Sequence, residues 1–182
     1  MATYATISEN WFYRRYPKTL ASFEAFEAEP GIDDRLKSRQ VMARMLEEVP
    51  LTVNRLYGLD NLPLDLDSLR VLDEHITPGE AEWWMKDSDP DDPNNYFKLT
   101  VSEFAVFLGT VCIGALGASW RYARMPNYFE STIVVEDIEF HVFDTIMKKC
   151  SHDFGHEHLS DKFHALATTV ASKRSANPGK PQ

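Results

Sequence analysis

Imidazole, thiolate and carboxylate crowd one stretch of this chain. Cys150, His152, Asp153, His156, Glu157 and His158 are followed by Asp161 and His164, so four of the six histidines fall within thirteen residues. These are ligand types that zinc or nickel takes. His152 and His156 stand four apart and His158 and Asp161 three apart, spacings that share a helix face. Gly155 interrupts the first of these turns, and the order is not the His-Glu-x-x-His of metalloproteases. A metal site on His152, His156, His158 and Asp161, serving a metal-binding protein or a metal-dependent enzyme, is the alternative reading. A polar connector between helices is the simpler one.

The other candidates for chemistry are weaker. Asp87, Asp89 and Asp91 have the alternation of a calcium loop, but its sixth position would need Gly and is Asp92, and its twelfth would need Glu and is Lys98. The glycine-rich run GTVCIGALG at 109–117 lies inside an apolar helical pattern, not between a strand and a helix N-terminus, so it is no phosphate loop. Cys112 belongs to that run, where an apolar setting keeps a thiol protonated and inert. Asp73, Glu74 and His75 are adjacent, which points them to different sides of a helix and favours a solvated face over an acid/base cluster. No catalytic residue and no cofactor is expected.

Charge is informative through its placement. The chain has 182 residues and a formal net charge of −9. Residues 1–59 hold 8 acidic and 8 basic side chains, and residues 104–182 again 8 and 8, whereas residues 60–103 hold 12 acidic against Arg70, Lys86 and Lys98. The whole excess therefore lies in one segment. Such a field speeds encounter with a basic partner and repels nucleic acid, whose phosphates need clustered Lys and Arg. Trp83 and Trp84 stand at the edge of its densest part, DSDPDDPNN at 87–95. Consecutive tryptophans on a short helix cannot both enter one narrow core: either both bury against different neighbours, or at least one is partly exposed, and an aromatic anchor ringed by charge is the anatomy of a binding hot spot. The candidate partner-binding residues are Trp83, Trp84, Asp87, Asp89, Asp91, Asp92 and Tyr96. Trp11, Phe12, Tyr13 and Tyr16, with Arg14 and Arg15, form a second aromatic cluster that would clamp the N-terminus onto the domain or serve self-association into a homo-oligomer.

The elements that must position these residues follow from apolar spacing. Helices are predicted over 19–28, over the stretch from Asp33-Asp34 to a stop at Pro50, over 51–59, from an Asp67 cap to Ile76, and from Thr77-Pro78 through the tryptophans. Thr100 and Glu103 read as a capping box opening a helix from about Val101 to Leu116, apolar nearly all round and so central to the core. After Gly117 the period changes to short β-branched and aromatic runs at 119–124, 131–135 and 138–143, with Glu136-Asp137 at a hairpin turn. Helices at 144–149 and 159–172 and a frayed tail follow. The sum is one α+β domain over 1–172, mainly helical with a small antiparallel sheet after the core helix, and a flexible tail at 173–182.

Leu116, Gly117 and Trp120, followed by a hairpin and then by Phe140, Val142, Lys148 and Lys149, give a helix ending in Leu-Gly-x-x-Trp, a β-hairpin and a basic helix. In this it resembles a group of small uncharacterised bacterial α+β domains, and the resemblance implies the fold of that quarter of the chain and assigns no functional residue. Two cysteines give no disulfide framework, MATYATISENWFYRR has no apolar signal core, and no run approaches eighteen apolar residues, so a cytoplasmic protein without a membrane span is expected. The expected function is non-enzymatic: an acidic surface that engages a basic protein, in its most concrete form an immunity protein facing a cognate toxin.

Overall fold

The central helix is the one whose apolar residues leave no polar face. In the computed structural model, which describes residues 34–60, 62–86, 96–124, 128–151 and 156–176, this is Tyr96–Leu116, with every residue from Thr100 to Gly109 buried. Three helices precede it in the described residues: α1 (Asp34–Tyr57), α2 (Leu66–His75) and α3 (Pro78–Lys86), which makes the central helix α4. It is followed by β1 (Ser119–Arg121), a 3-10 turn (Tyr128–Glu130), β2 (Thr132–Val135), β3 (Ile138–Phe140), α5 (Val142–Lys149) and α6 (Leu159–Ala176). The strands form an antiparallel sheet in the order β1-β2-β3, with Trp120 opposite Ile133 and Ile133 opposite Phe140. The fold is α+β, a helical body with a small sheet after the core helix, as expected.

Several boundaries differ for physical reasons. Pro50 was expected to stop a helix, yet α1 runs through it to Tyr57. Proline removes one backbone donor, at about 3 kcal/mol. Against that loss, Met42, Met45 and Val49 before it and Thr52 and Val53 after it are all buried, so packing carries one helix across the proline. The cap of α2 is Asp65 and not Asp67: its carboxylate accepts from the Ser68 N–H at 3.0 Å, while Asp67 sits in the exposed first turn. The Thr100 and Glu103 pair is no capping box, because α4 begins at Tyr96 and both residues are interior and buried. Glu103 accepts a hydrogen bond from the Thr52 hydroxyl of α1. The strands at 119 and 138 are shorter than read, α5 begins two residues early, and α6 continues four residues past Ser172. The N-terminal aromatics, the 19–28 helix, the 87–95 loop and the last six residues lie outside the described residues.

Two backbone features lock the sheet to the helices. The hairpin turn is where it was predicted, with Glu136 at φ 56° and Asp137 at φ 86°. Left-handed φ at both central positions is the two-residue hairpin geometry that favours Asn and Gly. Here α6 compensates: Lys173 reaches Asp137 at 2.6 Å, and Arg174 reaches Glu136 at 2.8 Å and donates to the Leu116 carbonyl at 2.8 Å. Gly109 is the second device, since a Cβ there would lie 2.3 Å from the Trp120 indole. Glycine at this point lets the sheet's tryptophan rest directly on α4.

Candidate binding face

The sequence of α3, PGEAEWWMK, sorts its residues by face. Thr77 caps the helix, its Oγ1 accepting from the Glu80 N–H at 3.2 Å, and Pro78 takes the first helical position where its missing N–H costs nothing. Ala81 and Trp84, three apart, are both 0% exposed and turn toward the core. Glu80 and Trp83, also three apart, are exposed, Trp83 to 50%. Glu82 is exposed beside it. The two tryptophans thus divide: Trp84 anchors α3, and Trp83 presents an indole to solvent in a setting of carboxylates. Of the remaining partner-binding candidates, Asp87, Asp89, Asp91 and Asp92 lie outside the described residues, as does the side chain of Tyr96.

Tyr57, at the end of α1, lies within electrostatic reach of Glu80. Its ring stacks on His75 at 4.3 Å between centroids, and its hydroxyl is buried with no hydrogen-bond partner among the described residues. Burial, and next the Glu80 carboxylate, push the phenol well above its usual range. It is a packed, un-ionised ring, held between His75 of α2 and Phe104 of α4.

The histidine region is organised around Asp73. Asp73, taken above as part of a solvated face, has a side chain only 6% exposed. Its carboxylate accepts from the Leu159 N–H at 2.6 Å, the Ser160 N–H at 3.1 Å and the Ser160 hydroxyl at 2.8 Å. One helix therefore supplies the N-terminal cap of another, 86 residues away. Lys149, 4% exposed, lies 3.6 Å from the same carboxylate, and His158 lies 3.9 Å from it. An acidic residue inside α2 carries no local signal for such a role, because both partners come from distant sequence.

Among the described residues the metal candidates do not converge. His156 is exposed, His158 leans toward Asp73, Asp161 is exposed in the first turn of α6, and His152 lies outside the described residues. Glu157 is held by Lys162 at 2.8 Å, and that hydrogen bond keeps its carboxyl below the usual range. Among the described residues no group of three or more His, Cys, Asp or Glu converges as a metal site would. Cys150 is buried, and burial pushes its thiol up to about 12 against a small opposing effect of Lys149. Cys112 is likewise pushed up to about 12 by burial, in keeping with the inert role read from its surroundings. A cleft of about 240 Å³ opens beside this region, lined by Lys148, Lys149 and Lys162 as well as Glu139, Asp144 and Glu157. Lys148 pairs with Asp144 at 2.8 Å as Lys162 does with Glu157, so its rim is balanced charge.

No protein-family model, curated protein or solved structure matches this chain. The residues of the Leu-Gly-x-x-Trp pattern close α4 and open β1, Gly117 taking φ 66° just past the helix end, as a C-terminal cap requires. No helix among the described residues is long and apolar enough to cross a membrane.

Proposed function

We propose that this chain is a binding protein, not an enzyme, and that the face running from Glu80 to Tyr96 engages a basic surface on a protein partner. The observation that carries the reading is the half-exposed indole of Trp83 on a helix whose other tryptophan is fully sealed. A large aromatic left in water forgoes burial that its neighbour obtains, and docking against a partner recovers it. The chain leaves α3 directly into Asp87, Asp89, Asp91 and Asp92, so carboxylates adjoin the anchor in sequence. In this mechanism the carboxylates supply long-range attraction and Trp83 supplies desolvated contact area, while Trp84 holds α3 in place.

The narrowest form of the reading is an immunity protein in the cytoplasm that covers the basic active site of a toxin such as a nuclease, its carboxylates standing where substrate phosphates would. The test begins with the partner captured by the full chain. Association followed at low and high salt is expected to slow, with a flatter salt dependence, when Asp87, Asp89, Asp91 and Asp92 are changed to Asn, and Trp83→Ala is expected to speed dissociation. Unchanged association in low salt by the neutralised variant would show that the carboxylates do not steer the encounter.

A further inference from the structure

A second apolar surface lies away from α3. A groove of about 290 Å³ is lined by Leu46, Val49 and Pro50 of α1, by Leu62 and Leu64 of the connector to α2, and by Phe107 of α4. Phe107 and Val49 are buried at its base, whereas Leu64 is 54% exposed and Leu51, next to Pro50, is 66% exposed. An apolar lining that leaves Leu64 so open, with Leu51 exposed one residue beyond Pro50, asks for a cover.

We propose that the cover is the chain's own aromatic segment from Trp11 to Tyr16. Composition is the first argument. Seven of the 22 aromatic residues, Tyr4, Trp11, Phe12, Tyr13, Tyr16, Phe23 and Phe26, stand among the 33 residues before Asp34. That density is foreign to a solvated tail and demands apolar surface to pack on. Reach is the second. Leu46 and Pro50 lie 12 and 16 residues along α1 from Asp34, hence about 18 to 24 Å from its start. Tyr16 stands eighteen positions before Asp34, and that length spans about 27 Å wound as a helix and more when extended, so the segment reaches the groove in either form. Charge is the third. Arg14, Arg15 and Lys18 interleave with the aromatics, and the chain beside the groove carries Asp60, Asp65 and Asp67. An aromatic and basic strip would thus meet an apolar groove whose flanking chain is acidic in sequence.

The experiment uses the full chain carrying a bimane fluorophore on Leu64→Cys, and separately on Leu51→Cys in case one label obstructs the groove. The native thiols, Cys112 and Cys150, are buried and stay unlabelled. Tryptophan quenches bimane at near contact. The expected result is a quenched label that brightens on Trp11→Phe to the same degree at every protein concentration, while the label on exposed Thr169→Cys of α6 ignores that change. If neither groove label responds to Trp11→Phe, the segment sits elsewhere and the proposal falls. If quenching returns when labelled Trp11→Phe chains are mixed with unlabelled wild-type chains, a second copy fills the groove and the proposal also falls.

Discussion

Carboxylates do opposite work in two regions of this molecule. Where α2, α5 and α6 meet, Asp73 is buried, caps a helix across 86 residues of sequence and faces a buried lysine. On α3, Glu80 and Glu82 are exposed and stand beside an exposed indole. The first arrangement spends its charge on the fold: a buried ion with its hydrogen bonds satisfied specifies one packing of three helices. The second lies at the surface, where a carboxylate contributes less to stability. Residue type alone does not separate the two; exposure and the identity of the nearest donors do.

The comparison breaks most visibly at Asp73. Asp73→Ala removes the cap of α6 and leaves Lys149 without this partner, and is expected to cost about 3–5 kcal/mol in urea unfolding, whereas Glu82→Ala on α3 changes stability by less than about 0.5 kcal/mol. Equal effects of the two would dissolve the distinction. The tryptophans give the next largest contrast. Trp84→Ala should destabilise by roughly 3–5 kcal/mol through an uncollapsed cavity, and Trp83→Ala, half in water, by roughly 1–2 kcal/mol, read from the same unfolding curves.

Buried groups that stay neutral sharpen the contrast through pH. Burial pushes the thiols of Cys112 and Cys150, and the phenol of Tyr128, up to about 12. In the unfolded chain they ionise nearer their ordinary values of 9.0 and 10.0, so above pH 9 the unfolded state releases protons that the folded state retains. Their contribution is therefore intact below pH 9 and lost progressively from pH 9 toward about 12. Between about pH 8 and about pH 10 each thiol is expected to cost on the order of 1 kcal/mol of stability, and Cys112→Ala should flatten that slope. A pH-independent stability across this range would contradict the account. The smallest effect belongs to the hairpin, where replacing Glu136 and Asp137 by Asn and Gly relieves two left-handed residues but gives up exposed ion pairs to α6. The expected gain is about 0.5–1 kcal/mol in thermal unfolding, and a loss would show that Lys173 and Arg174 contribute more than surface pairs usually do.

What the sequence made legible follows from the range of the forces involved. The central helix, the hairpin at Glu136-Asp137 and the start of α3 at Thr77-Pro78 are written in local spacing and caps, and each was read in place. Pro50 misled because its local penalty is outweighed by buried residues on either side of it. Thr100 and Glu103 misled because a pattern that suits a helix start also occurs where a buried carboxylate meets a hydroxyl from α1. Asp73 was unreadable for a related reason, its donors lying in α6 and its buried cation in α5. The division of Trp83 from Trp84 is legible only as one of two readings, because consecutive tryptophans can also bury against different neighbours, and the structure puts Trp84 inside with Ala81 and leaves Trp83 half-exposed.

The central claim is that Trp83 forms the anchor of a docking face, and the four indole N–H resonances of Trp11, Trp83, Trp84 and Trp120 report on it directly. On saturation with the basic partner, the Trp83 resonance is expected to shift and lose solvent exchange, while those of Trp84 and Trp120 hold their positions. A complex that forms with the Trp83 resonance unmoved would place the docking face elsewhere.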